Sequence, residues 1–329
     1  MSSSTTSPTS VTARQRITVA RVWDNFGMLV VFAVLFLACM LFIPNFGSFI
    51  NMKGLGLAMS MSGMVACGML FCLASGDFDL SVASVIACAG VTTAVVINLF
   101  ESLWLGIGAG LLLGMVCGFV NGFVIAKLKI NALITTLATM QIVRGLAYIF
   151  SDGKAVGIED ERFFALGYAN WLGIPAPIWL TVATMVVFGF LLNKTTFGRN
   201  TLAIGGNEEA ARLAGVPVVR TRIIIFVLSG LVSAAAGIIL ASRMTSGQPM
   251  TSLGYELIVI SACVLGGVSL KGGIGKISYV VAGVLILGTV ENAMNLLNIS
   301  PFSQYVVRGL ILLAAVIFDR YKQKAQRVA

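Results

Sequence analysis

No histidine occurs anywhere in this chain, and charged residues make up only 11% of it. Without histidine, imidazole metal sites and Ser-His hydrolytic pairs are excluded. The six cysteines, Cys39, Cys67, Cys72, Cys88, Cys117 and Cys263, form no CxxC pair and all fall inside apolar stretches. They read as small buried hydrophobes, neither a disulfide framework nor a metal cage. A phosphate loop is missing too: Gly272-Gly273-Ile274-Gly275-Lys276-Ile277 has Leu270 where the leading glycine belongs and Ile277 where Ser or Thr would hold magnesium. No nucleophile stands beside a base, so an intramembrane hydrolase has nothing to work with. No catalytic residue, cofactor or metal ligand is expected.

What the chain has is apolar length, with 58% hydrophobic residues and a mean hydropathy of +0.96. A soluble domain of that composition could not cover its surface with polar groups, so the solvent is lipid. A hydrocarbon core about 30 Å thick needs roughly 20 helical residues per crossing, which allows about ten crossings. The apolar runs are continuous rather than alternating, which excludes a closed barrel. They predict spans at 26–43, 54–75, 80–98, 103–126, 131–150, 177–193, 221–241, 254–270, 276–298 and 303–319. The expected fold is an all-α polytopic membrane protein of about ten transmembrane helices. The third and eighth segments are short or polar enough to be partly re-entrant.

Residues 1–22 read as a disordered cytoplasmic tail, 23–320 as the membrane domain with a polar insert at 194–222, and 321–329 as a cytoplasmic tail. The run from Phe26 to Ile43 mimics a signal peptide but lacks a small-x-small cleavage site, so it reads as an uncleaved first span.

The net charge of +9 sits in the hinges between apolar runs, a topology signal that leaves no basic surface for nucleic acid. With the amino terminus inside, sixteen of the 22 basic residues lie inside; the exceptions are Lys53, Lys154, Arg162, Arg243, Arg144 and Arg308. That bias predicts both termini in the cytoplasm, the insert on the same side, and 151–176 outside. Arg144 and Arg308, within or at the ends of spans, are expected to snorkel or pair.

Two matches recur at an offset of five spans. VRGL occurs at Val143–Leu146 and Val307–Leu310, and GDFDLSVASVIACAG from Gly76 parallels GYELIVISACVLGG from Gly254. Together they suggest an inverted repeat of two five-helix halves. Gly106, Gly110, Gly114, Gly118 and Gly122 recur every four residues along the fourth span, a stripe for close backbone approach, either a sliding seam or static packing.

The polar insert TTFGRNTLAIGGNEEAARLAGVPVVRTR carries helix punctuation. Asn207 is an N-cap, Glu208 and Glu209 place negative charge on the first turn, Arg212 lies one turn on, Gly215 is a stop and Pro217 prevents resumption. A capped, charged helix between two spans is a place where another protein pushes. Opposite it, Glu159-Asp160-Glu161 is an acidic run in the outer loop.

Inside the spans the polarity is mild. Asn131, Thr135 and Thr139 fall at i, i+4 and i+8 of the fifth span, and Glu291, Asn295 and Asn298 on one side of the ninth. These groups could line a route for a neutral polyol or bond neighbouring helices. Asp77, Asp79, Glu256 and Glu291 are the acids an ion-coupled carrier would use, but no pair clusters deep in one span, and Asp79-Leu80-Ser81 also reads as a helix cap.

Four segments in order, GDFDLSVAS, the insert, GYELIVISACVLGGVSLKGGIGK and TVENAMNLLNISPFSQYVVRGLILL, closely resemble the permeases of bacterial sugar ABC importers of the ribose, galactose and arabinose group. The resemblance covers nearly the whole chain after the tail, and along its length points to arabinose. It implies an inner-membrane subunit paired with a second copy of itself among membrane lipid, with cytoplasmic ATP-binding subunits and a periplasmic sugar-binding protein. On that footing Asn207, Glu208, Glu209, Arg212 and Gly215 would be the ATPase-coupling helix, Asn131, Thr135, Thr139 and Asn295 the translocation pathway, and Glu159, Asp160 and Glu161 the dock for the binding protein. One departure stands out: much of the family has Gly-Gly-Ile before Asp-Leu-Ser, where this chain has Gly76-Asp77-Phe78. The competing reading is an ion-coupled secondary transporter of a small polar solute.

Overall fold

The computed structural model describes residues 27–328, so the tail at 1–22 and the arginines at 14, 16 and 21 lie outside the described residues. Ten helices answer to the ten predicted spans: α1 Gly27–Phe42, α2 Phe49–Ala74, α3 Val82–Phe100, α4 Leu103–Ala126, α5 Ala132–Ser151, α7 Ala176–Lys194, α10 Val218–Met244, α11 Tyr255–Gly266, α12 Ile277–Leu296 and α13 Pro301–Val328. Between them lie three short helices, α6 Ala165–Tyr168, α8 Thr196–Gly206 and α9 Glu208–Leu213.

Seven of the helices are long and apolar enough to cross a membrane. Among them is α3, with 19 residues, so the third segment is long enough to cross in full. The eighth is truly short. At 12 residues, α11 rises only about 18 Å and cannot cross alone. The remainder of that stretch is irregular chain, a two-residue strand followed by turns. Residues 245–254 run beside α3, with Gly247 against the backbone of Gly90 and Val91, and Thr245, Ser252 and Gly254 adopt positive φ. Irregular backbone at this depth needs partners. Arg144 of α5 supplies them, donating through Nη1 to the carbonyls of Pro249 (2.6 Å) and Thr251 (2.9 Å) and through Nη2 to that of Ala83 (3.3 Å). It is buried and spent on main chain.

The core is organised around α10, which packs on α2, α3 and α4. The glycine stripe of α4 explains the closeness. A Cβ at Gly114 would fall on the main chain of Gly230, one at Gly118 on Phe226, and one at Gly122 on Ile223. The stripe is a seam within one chain, and Gly230 answers it from α10 while Gly237 of α10 closes on Ile86 of α3.

Packing obeys the predicted offset of five spans. Helix α3 packs on α4 and α5 as α11 packs on α12 and α13, and α2 lies against α11 and α12 as α10 lies against α3 and α4. The two halves therefore exchange their second helices, as an inverted repeat requires.

The segment 151–176 is more than a loop. It forms two small antiparallel pairs, β1 (Val156–Gly157) with β4 (Ser246–Gly247) and β2 (Asn170–Trp171) with β3 (Ile174–Pro175). Phe163 is fully buried among Ile97, Ile158 and Ile238. Ser242 of α10 donates to the Phe163 carbonyl (2.7 Å) and accepts from the Gly167 amide (2.9 Å), which fastens this cap over the ends of α3 and α10.

Candidate coupling and translocation sites

The polar insert folds as two helices where the sequence punctuation predicted one. The first, α8, starts at Thr195, whose hydroxyl accepts from the Gly198 amide (3.2 Å). It closes on the rest of the face through glycine: a Cβ at Gly205 would fall on the Ala74 carbonyl and the Gly273 amide, and that amide donates to Ala74 O at 2.9 Å. The glycines around Gly272, which superficially suggest a phosphate loop, are thus used to bring three backbones together.

The second helix, α9, begins and ends as its sequence predicts. The Asn207 side chain accepts from the Ala210 amide (2.9 Å), and Gly215 has φ +83, with its amide on Arg212 O and the Val216 amide on Ala211 O. Only Ala211 is buried, against Ile204 and Val218; Asn207, Glu209 and Arg212 are exposed, and Leu213 is 86% exposed. A helix so placed leaves nearly its whole surface exposed.

Glu208 is the exception. It accepts from Arg212 (2.7 Å) one turn on and from Arg222 (2.8 Å) at the start of α10. Arg222 reaches further, with its Nε 2.9 Å from Asp77 Oδ2 in the turn between α2 and α3. Burial pushes the Glu208 carboxyl up, but the two guanidiniums, Arg222 foremost, outweigh it and hold the group below its usual range. At Asp77 burial wins over Arg222, and the carboxyl is raised.

Two residues along, Asp79 is buried and accepts from the Ser81 amide (3.0 Å), the Ser81 hydroxyl (2.6 Å) and the Ser229 hydroxyl of α10 (2.7 Å). Asp79 closes a turn just before α3, whose N-cap is Ser81 without a side-chain cap bond, and it also binds α10. Ser81 in turn accepts from Asn121 Nδ2 of α4 (3.0 Å), and Asn121 Oδ1 accepts from Thr139 of α5 (2.6 Å).

The pathway candidates divide into two places. Asn131 is the N-cap of α5 rather than part of it, accepting from the Leu133 amide (2.9 Å), and Thr135 donates back to Asn131 O (3.0 Å). With Thr139 bound to Asn121, the hydroxyls of this set are engaged within the helix and with α4. Asn295 lies elsewhere, accepting from Gln304 (2.8 Å) and lining a cavity of about 70 Å³ between α2, α11 and α12 together with Ser62, Glu291 and Asn292. A second, mostly apolar cavity of about 170 Å³ between α11, α12 and α13 shares Ile258, Leu287 and Glu291 with the first. Arg308 closes the shared corner, 2.8 Å from Glu291. The pairing expected of Arg308 is present.

On the opposite face, Glu159 and Glu161 are exposed, while Asp160 caps the turn at Arg162 and pairs with its guanidinium at 2.8 Å. That hydrogen bond holds Asp160 below its usual range, so one of the three acidic charges is locally neutralised.

Arg222, Ser229 and Asn121 escaped the sequence reading. A signal was present: Arg222, Phe226 and Ser229 lie on one face of α10 at i, i+4 and i+7, and an acid such as Asp77, between two apolar spans, demands a cation.

Residues 51–316 match the family described as "branched-chain amino acid transport system / permease component". The chain belongs to this permease family. It is a multi-pass membrane transport subunit, not an enzyme. The permease is 89% identical over 307 residues to the L-arabinose transport system permease protein of Escherichia coli (strain K12), covering 93% of this chain and 94% of that one. It is 52% identical over 315 residues to the L-arabinose ABC transporter permease protein of Azospirillum brasilense, covering 96% and 93%. With the ribose import permease protein of Bacillus subtilis (strain 168) it shares 41% over 313 residues, 94% and 97% of the two chains. No solved structure matches the permease.

Proposed function

We propose that this chain is the membrane-spanning subunit of an ATP-binding-cassette importer that moves L-arabinose inward across the bacterial inner membrane. The observation that carries the reading is the 89% identity, over 93% of the chain, to a permease protein of an L-arabinose transport system. Identity that high along the whole length outweighs the broader amino acid wording of the family description. Two copies would pair, with ATP-binding subunits in the cytoplasm and a sugar-binding protein in the periplasm. Both termini and 194–222 would face the cytoplasm, with the 151–176 cap outside, as the distribution of basic residues favours.

In this scheme Asn207, Glu208, Glu209, Arg212 and Gly215 form the contact for the ATPase. Exposure of all but one side of α9 supports that role. Glu159, Asp160 and Glu161 would receive the binding protein. Of the pathway set, Asn295 has the more favourable setting, since it lines a cavity whose wall also carries Ser62, Glu291 and Asn292. The mechanism would be alternating access between the two halves, with no covalent chemistry in this subunit. An ion-coupled carrier is not favoured by the relatives.

The test is uptake into proteoliposomes holding the permease with its ATPase and binding protein. ATP-dependent entry of L-arabinose, with ribose and galactose as weaker competitors, is expected. Entry driven by a proton or sodium gradient without ATP would overturn the reading, and preference for another sugar would correct its substrate.

A further inference from the structure

Helix α9 is cut off from α10 by Gly215 and Pro217, so backbone alone is a poor conductor of force between them. A side chain bridges the break. Arg222 reaches back fourteen residues to Glu208 and sideways to Asp77, with its side chain only 16% exposed. Two buried acids, Asp77 and Asp79, then occupy one turn, and their partners lie on α10, α4 and, through Asn121, α5. Each contact on either side of that turn is 3.0 Å or less, and between Asp77 and Asp79 the connection is the main chain of one residue, Phe78. Separating such groups in a low-dielectric interior is costly, so they move together or are replaced together.

We propose that two runs of polar contacts, Glu208–Arg222–Asp77 and Asp79–Ser81–Asn121–Thr139, joined by the backbone of the turn at Phe78, are the linkage that carries displacement of α9 into α5, with Arg222 and Asp77 as its positioning residues. The proposal rests on α9 being the ATPase contact. It also accounts for Asp77, since this acid gives Arg222 a second anchor in the turn that begins α3. Apolar packing gives α5 other neighbours, on α3 and α4, but no polar route from α9 other than this one is formed among the described residues. The physical requirement is an element with two arrangements that both ends bias, and directional ion pairs and hydrogen bonds, which are either made or broken, meet it better than sliding apolar surfaces.

The experiment uses the whole complex, permease with ATPase and binding protein, in nanodiscs. Leu133, at the start of α5 and 45% exposed, is replaced (Leu133→Cys), and its rate of maleimide labelling is compared without nucleotide and with ATP plus vanadate. A nucleotide-dependent change is expected in the otherwise native protein. In Asp77→Asn and Arg222→Gln that change should vanish, and stimulation of ATP hydrolysis by loaded binding protein should fall about tenfold, while basal hydrolysis persists. Asp77→Glu should recover part of both. Thr139→Val, which keeps the shape and deletes only the last bond, should reduce the labelling response even if the charge variants assemble poorly. Full response in Asp77→Asn or in Thr139→Val overturns the linkage. The underlying reading is tested separately by crosslinking a cysteine in place of the exposed Leu213 to the ATPase. No crosslink removes that reading and the linkage with it; a crosslink together with unaltered variants removes the linkage alone.

Discussion

Arg222 holds Glu208 at 2.8 Å and Asp77 at 2.9 Å, one guanidinium joining an element on the surface to a turn between two spans. The two acids answer to this cation differently. Folding lowers the Glu208 carboxyl, so its charge contributes stability that is complete above its ordinary value of 4.5 and is lost as the pH falls through the depressed folded value. Folding raises Asp77, so its charge costs stability at neutral pH and that cost is relieved on acidification.

Glu208→Gln should therefore destabilise the solubilised permease at neutral pH by at most about 1 kcal/mol, a partly exposed carboxylate being screened by solvent. The deficit should shrink as the pH drops below the carboxylate range. Thermal unfolding of both proteins across pH decides it, and a deficit that grows in acid would contradict the assignment.

Gly215→Val should weaken the stop of α9 by about 1–2 kcal/mol, because the position has φ +83 and a β-branched residue resists it. No atom lies within 4 Å of a Cβ there, so Gly215→Asn should be tolerated. Stimulated ATPase activity of the assembled complex is the measure, with equal activity in both variants refuting the backbone argument.

Along α4, Gly118→Ala should be badly tolerated because its Cβ meets the Phe226 main chain, whereas Gly108→Ala meets nothing within 4 Å. A loss of about 1–3 kcal/mol or more is expected for the first and near zero for the second. Detergent-solubilised melting curves that coincide would show that the seam can open.

Arg144→Met should leave the carbonyls of Pro249 and Thr251 unmatched, at about 1–3 kcal/mol for each buried group. Faster amide exchange through residues 245–254, with α13 unaffected, is the expected mark. Unchanged protection there would show that water or another group replaces the guanidinium.

At the opposite face, Glu159→Lys with Glu161→Lys should slow encounter with the binding protein in a salt-dependent way. Asp160→Asn should act differently, by loosening the cap that it forms with Arg162. Uptake at limiting binding protein separates the two, and salt-independent uptake in the double variant would make the run an ordinary solvated face.

The spans were legible because lipid allows few solutions: long apolar runs, basic hinges and a repeat offset of five spans gave the helices and their pairing. The caps of α9 were equally plain, since Asn207 and Gly215 act within a few residues of themselves. The other helix of the insert, α8, was not, because it is held where Gly205 meets the backbones of Ala74 and Gly273, far away in sequence. Full length for α3 was obscured by the acids before it, which proved to be partnered by α10. Asn131, Thr135 and Thr139 share a helical face in sequence, yet their spacing says nothing of Asn121, which takes the last of them.

The shortness of α11 reaches back into biosynthesis. Twelve residues are too few to be released into lipid as an independent unit, and Arg144, at about 2.5–3.5 kcal/mol for a mid-bilayer arginine, is an expensive passenger while its two closer acceptors are still untranslated. Ala83 precedes it and offers one carbonyl at 3.3 Å, but Pro249 follows it by 105 residues. The amino-terminal half must therefore wait at the insertion site, or in the company of a chaperone, until the second half arrives to neutralise it, and a ribosome stalled between them would leave a product marked for proteolysis.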